Sequence, residues 1–175
     1  MQSPRVEAAV LAPVYRDVRG DLRIVLVRRT AGGVHGGQIA LPGGRRDPGD
    51  ASALDTALRE AWEEIGLPAG NVEVLAALPV VETRSTGYRI TPFLGRIVPP
   101  AAWAPAEAEV AEVLEVRLAD LARPEARGES LEQPPGWPEP MKIEFWTVGP
   151  HRLWGLTYRI LRPLLPRLLS GEWSF

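Results

Sequence analysis

Residues 42–67 read PGGRRDPGDASALDTALREAWEEIGL, and the interpretation of the whole chain turns on them. The closing part, Arg59-Glu60-Ala61-Trp62-Glu63-Glu64-Ile65-Gly66-Leu67, sets three carboxylates within five positions of a predicted helix. An α-helix turns about 100° per residue, so Glu60, Glu63 and Glu64 fall inside an arc of roughly 100°. Like charges that close weaken a helix. A hard divalent cation with oxygen ligands, such as Mg²⁺ or Mn²⁺, is the usual reason to keep them together. Many Glu-rich helices simply present a solvated acidic face. What shifts the balance here is the Pro42-Gly43-Gly44 segment upstream, which predicts a tight turn able to approach a ligand closely. Asp50 is the predicted N-cap and Gly66 the left-handed C-terminal residue. Leu54, Leu58, Ala61 and Ile65 form an apolar stripe, which predicts that the carboxylates turn away from the core. Arg59 precedes Glu63 by four residues and is placed to pair with it.

On these residues the segment resembles the Nudix box, whose second half reads Arg-Glu-apolar-x-Glu-Glu-x-Gly-apolar. Arg59, Glu60, Glu63, Glu64, Gly66 and Leu67 match it. In the first half Asp50 stands where Glu is usual, and eight residues rather than seven separate it from Arg59. GGxxDxxD followed by TALREAxEEIGL resembles the coenzyme A pyrophosphatase branch. So do IVLVRRT at 24–30, HGGQIALPGG at 35–44, EVAEV at 109–113, and the Leu153-Trp154-Gly155-Leu156-Thr157 and Arg159-Ile160-Leu161 segments. Two departures touch the substrate: Gly33 replaces an Arg that the branch usually carries before its HxGQ element, and Leu41 replaces Phe before Pro-Gly-Gly.

The resemblance implies an α/β/α Nudix sandwich, a mixed sheet between helices, and one domain over residues 1–175. It implies hydrolysis of the pyrophosphate bond of a nucleoside diphosphate derivative. Coenzyme A or acyl-CoA comes first, yielding 3′,5′-ADP and 4′-phosphopantetheine or its acylated form. ADP-ribose, NADH or another dinucleotide is the alternative, and a purely regulatory nucleotide-binding domain a third. Glu60, Glu63 and Glu64 are the implied ligands of Mg²⁺ or Mn²⁺, with the carbonyl of Gly43 or Gly44 adding an oxygen. Arg59 orients the carboxylates. Glu112 is the favoured base, ahead of Glu63 and Glu64, with Glu109 beside it. Arg29, His35, Gln38 and Gly43 are the implied substrate contacts. Trp103 and Trp137 are candidates for stacking on adenine.

Composition agrees with a globular chain of 175 residues, 45% hydrophobic and 24% charged. A net charge of −2 offers no broad basic field for nucleic acid or anionic lipid. With no cysteine, thiolate metal sites and a cysteine nucleophile are excluded. No signal peptide or membrane-spanning run is visible, so a cytoplasmic location is the default expectation. Related proteins often form homodimers, although no residue here specifies one. Predicted strands cover Val6–Tyr15, Leu22–Arg29, Gln38–Leu41, Val72–Thr83, Tyr88–Val98, Val110–Leu118, Met141–Val148 and Arg152–Trp154. A final helix, Leu156–Leu169, is expected to kink or shorten at Pro163 and Pro166.

Overall fold

Burial on both faces is written into the first apolar runs, and it places the sheet at the centre of the molecule. The computed structural model describes residues 5–32, 36–83, 87–133 and 138–175. In chain order it holds β1 (Val6–Arg16), β2 (Leu22–Arg29), β3 (Ile39–Ala40), β4 (Gly43–Arg45), α1 (Ala53–Ile65), β5 (Val72–Ala77), β6 (Val81–Glu82) and β7 (Tyr88–Ile97). There follow β8 (Val110–Arg117), the short α2 (Leu118–Leu121), β9 (Arg127–Glu132), β10 (Met141–Val148), β11 (His151–Trp154) and α3 (Gly155–Leu169).

Along β1, Ala9 and Leu11 join Ala57, Ala61 and Ile65 of α1. The alternate residues Ala8, Val10, Ala12 and Val14 join Ile160, Leu161, Leu164 and Leu168 of α3. In β2 the same division sends Val25 and Val27 to α1 and Ile24 and Leu26 to α3. Side chains alternate faces along a strand, so a strand covered on both sides reads as a continuous apolar run. Each aliphatic side chain so buried contributes roughly 1.5–3 kcal/mol.

The main sheet runs β3-β2-β1-β7-β5, with β8 also on β2, β4 on β1 and β6 on β7. It is mixed: β1 and β7 are parallel, Val6 facing Tyr88, while β2 and β4 run antiparallel to β1. A second antiparallel sheet, β11-β10-β9, packs against α3. Helices on both faces of a mixed sheet make this the expected α/β/α sandwich.

Three local expectations are corrected, and one strand is found that the sequence left unassigned. Gly43-Gly44 is not a tight turn but part of β4, paired with Val10 and Ala9. The Val72–Thr83 strand is interrupted between Ala77 and Val81, where Pro79 has no N–H for a ladder. The strand β9, reading RGESLE, carries almost no apolar signal and is specified by pairing with β10, Phe145 opposite Gly128. A Cβ at Gly128 would collide with the Phe145 ring. Finally, α3 is not shortened by Pro163 and Pro166 but continues to Leu169. Both prolines lie on the exposed side of the helix, as do Arg159 and Arg162, whose carbonyls lose their helical donors.

Because Pro163 lies on the exposed side of α3, Pro163→Ala should restore one helical hydrogen bond without crowding the core and stabilise the protein by about 1–2 kcal/mol, after allowing for the freer unfolded chain. Urea denaturation measures this. A lower midpoint would show that the proline is needed for the helix's path.

Candidate active site

The first turn of α1 is capped by Ser52, not Asp50. Ser52 Oγ accepts from Asp55 N at 3.1 Å and donates to Asp55 Oδ2 at 2.8 Å. Asp50 is thereby left for another task. It is 9% exposed and accepts from Asp47 N at 2.9 Å and Thr56 Oγ1 at 2.8 Å. Both its oxygens also face Arg59, Nε to Oδ1 at 2.9 Å and Nη2 to Oδ2 at 3.0 Å. The paired guanidinium holds the Asp50 carboxyl well below the usual carboxylate range, helped by the Asp47 amide.

Arg59 spends its remaining donors on the neighbours expected of it. Nη1 donates to Glu60 Oε1 at 3.1 Å and to Glu63 Oε2 at 2.9 Å, and Nη2 to the Arg45 carbonyl at 3.0 Å. One planar cation therefore ties together the 47–50 loop, the end of β4 and two carboxylates of α1. The fork geometry of arginine suits such a hub, and lysine has no equivalent.

Glu64 does not turn from the core as expected. It is 3% exposed, and its Oε2 accepts from Gly43 N at 2.9 Å. The observed core stripe is Ala57, Ala61 and Ile65, and Glu64 lies one turn beyond Ala61 on nearly the same side. Burial pushes its carboxyl up to about 7, against the pull of the Gly43 amide and the Arg29 charge. Burial likewise raises Glu60, opposed by Arg59. Gly43 is a steric necessity, since a Cβ there would strike the Ala9 carbonyl, while one on Gly44 would displace the Glu60 carboxylate from its present place.

Among the remaining candidates, Arg29 belongs to the α1 face of β2, two residues after Val27, and its charge acts on Glu64. Gln38 is tied to it through the backbone, its carbonyl accepting from Arg29 N at 3.0 Å. Glu109 stands at the entrance to β8 and is close enough for its charge to raise both Glu60 and Glu64. Glu112 is not brought to this group. It pairs with Arg28 at 3.2 Å across the β2–β8 register, on the α3 side of the sheet with Leu26 and Leu114. Strand alternation carries that distinction, since Val113 and Glu112 must face opposite ways. Trp103 packs on the α1-side core and donates to Glu115 at 3.1 Å. His35 and Trp137 lie outside the described residues.

Chemically, this is a set of hard oxygens beside a glycine strand. Among the described residues no three acidic or histidine side chains converge at ion-holding distance, because Arg59 Nη1 stands between Glu60 and Glu63. Glu63 is exposed over 54% of its side chain, where it pairs with Arg59 at 2.9 Å. The donor set of Glu60, Glu63 and Glu64 and the cradle at Gly44 suit a hard divalent cation.

The NUDIX domain model matches residues 5–133. The chain belongs to the Nudix family. It is 44% identical over 120 residues to the Nudix hydrolase NudL of Citrobacter koseri, covering 68% of this chain and 61% of that protein. To NudL of Escherichia coli it is 43% identical over 117 residues, covering 65% and 58%. The chain thus spans about three-fifths of the length of the curated relatives it matches. Among solved structures, the Nudix hydrolase RenU of M. smegmatis shares 27% identity at a TM-score of 0.57, covering 67% of this chain and 74% of that one. A MutT protein from Methanosarcina mazei Go1, 17% identical, covers 99% of both chains at 0.61 and shares the fold. Nudix hydrolases generally use divalent metal ions and bind small nucleotide substrates. No described helix is long and apolar enough to cross a membrane.

The Nudix arginine makes a pH prediction. Because Asp50 is depressed in the folded state, the stability it contributes is complete above the unfolded carboxylate value near ~4 and is lost as pH falls through and below that value. Asp50→Asn should lower the urea midpoint at pH 6 and flatten its decline between pH 5 and 2. A parallel decline in both proteins would mean that the pair contributes nothing to folding.

Proposed function

We propose that this chain is a metal-dependent Nudix pyrophosphohydrolase, with coenzyme A or an acyl-CoA as substrate and 3′,5′-ADP and (acyl-)4′-phosphopantetheine as products. The observation that carries this reading is the Arg59 hub, which holds Glu60 and Glu63 beside β4 while Glu64 is anchored on the Gly43 amide. Glu60, Glu63, Glu64 and the Gly44 carbonyl would hold Mg²⁺ or Mn²⁺, which when bound neutralises diphosphate charge and favours ionisation of water. Water adds to one phosphorus, the bond to the bridging oxygen breaks, and that oxygen leaves with the other phosphate while a proton is released.

Protein groups supply the rest. Arg29, facing the carboxylates, is placed to take a phosphate oxygen. Glu109 is our candidate for the proton acceptor, replacing the initial preference for Glu112, because its charge reaches the carboxylate group and that of Glu112 is engaged by Arg28. His35, Gln38 and Gly43 are read as further substrate contacts. The HGGQIALPGG and LWGLT segments favour coenzyme A. Gly33 and Leu41 in place of the branch's Arg and Phe favour the second reading, the same chemistry on ADP-ribose, NADH or another dinucleotide. We read residues 1–175 as one Nudix domain acting in the cytoplasm on small nucleotides.

The deciding experiment offers coenzyme A, dephospho-coenzyme A, ADP-ribose, NADH and diadenosine polyphosphates with Mg²⁺ or Mn²⁺. Preference for coenzyme A over its dephospho form is the expected result, and no release of product from any compound would end the enzymatic reading. Glu64→Gln should lower kcat by about 100-fold or more with the melting curve kept. Glu109→Gln should lower kcat about 100-fold, and Glu112→Gln only a few-fold. The reverse order would return the base to Glu112.

A further inference from the structure

Residues 98–109 connect β7 to β8, and they reach the α1 end of the site through a chain of contacts that the chemistry above does not use. The last carbonyls of any helix lack helical donors. Here two are met by this loop: Ala104 N donates to Ile65 O at 3.1 Å, and Ala106 N to Glu64 O at 2.9 Å. Gly66, at φ 70°, makes the approach possible, since a Cβ there would sit 2.8 Å from the Ala104 Cβ. The loop then turns on itself, Glu109 N and Val110 N both donating to Ala106 O at 2.8 Å. Thr30 closes it from β2's side, its N donating to Glu109 O at 3.0 Å and its Oγ1 to Ala108 O at 3.2 Å.

What fastens the middle of the loop is a single carboxylate oxygen. Glu115 Oε1 accepts from Trp103 Nε1 at 3.1 Å and from Tyr15 OH at 2.7 Å. Tyr15, on β1, and Trp103, on the loop, both pack on the α1-side core, and Glu115 follows Val113 on that face of β8. Strand, loop and sheet edge thus meet at one acceptor. Burial, together with the Glu115 carboxylate, pushes the Tyr15 phenol well above its usual range, so it remains a donor throughout the working range of pH.

We propose that Tyr15 and Trp103, both donating to Glu115, form a clasp that seats the 98–109 loop on the C-terminal end of α1 and so positions Glu109 beside Glu60 and Glu64. The inference rests on the pyrophosphohydrolase reading for its consequence in turnover, but not for the clasp itself. All three are positioning residues. None need touch substrate.

Two measurements test it on the full chain. Amide exchange followed by NMR reads the clasp directly: Tyr15→Phe, which keeps the ring and loses one donor, should speed exchange at Ala104 and Ala106 about fivefold, the change expected for one ordinary hydrogen bond, and Trp103→Phe, which loses its donor and part of the indole packing, at least as much. Glu115→Leu, losing both, should speed it more, while amides of β1 stay as they were. Glu115→Gln retains an acceptor oxygen and should restore slow exchange. With coenzyme A and Mg²⁺, Glu115→Leu should lower kcat about tenfold at nearly constant KM, and should add almost nothing in a Glu109→Gln background. Unchanged exchange at Ala104 and Ala106 in Glu115→Leu overturns the clasp regardless of activity. Faster exchange with unchanged kcat, or independent losses that multiply in the double variant, overturns its link to Glu109. Absence of turnover by the wild-type chain across the whole substrate panel counts against the pyrophosphohydrolase reading and the Glu109 link with it, and leaves the clasp to be decided by exchange.

Discussion

The guanidinium of Arg59 cannot lose its charge, and its donors are fixed in one plane. Five acceptors surround it: two oxygens of Asp50, one each of Glu60 and Glu63, and the Arg45 carbonyl. Without that cation, carboxylates from adjacent turns of one helix would repel each other at a partly buried surface. With it, α1 can carry a concentration of negative charge and still sit against β4. The arrangement is asymmetric. Asp50 takes the two-pronged, best-shielded contact, so it serves as the permanent partner. Glu60 and Glu63 share one Nη1, each through a single carboxylate oxygen.

The helix is presented to the sheet by two glycines whose absence of side chain is used in different ways. Gly43 lies against the Ala9 carbonyl so that its N–H can reach Glu64, and Gly44 leaves the volume that Glu60 occupies. A buried carboxylate with a single backbone donor is costly to keep ionised, which is why Glu64 is raised. In a Nudix protein that cost is reasonable at a position where a cation is to be held. The far face of the same sheet does unrelated work. There α3 and the second sheet bury an apolar cluster, and both prolines of the helix lie on its exposed side, away from that cluster.

Much of the scaffold is legible in local sequence. The runs at Val6–Arg16 and Leu22–Arg29 carry the consecutive apolar residues of a strand covered on both faces, and Met141–Val148 begins with the apolar–polar alternation of a strand covered on one. Gly66 ends α1 for the reason read from the sequence, its φ of 70°. Other elements depend on partners far along the chain. β9 is a strand because β10 lies beside it, and the segment at 43–45 is a strand because β1 does. The Ser52 cap was masked by Asp50, an equally good capping residue two positions away, and only the bidentate contact with Arg59 shows what Asp50 is for.

By itself the sequence determined the membership of the family, the acidic helix and its arginine, and the oxygen-only character of the site, because these follow from residue types at short spacings. Which carboxylates share that site was decided by tertiary structure. Glu109 and Glu112 are three residues apart and look alike as text, yet Glu112 lies within β8 opposite Arg28, while Glu109 precedes the strand in the turn closed on Ala106 and held by Thr30. The same holds for Glu64 against Glu63: both are helix carboxylates, but only one meets a backbone amide from β4. Proximity across the chain sets their ionisation and reach, and no local spacing encodes it.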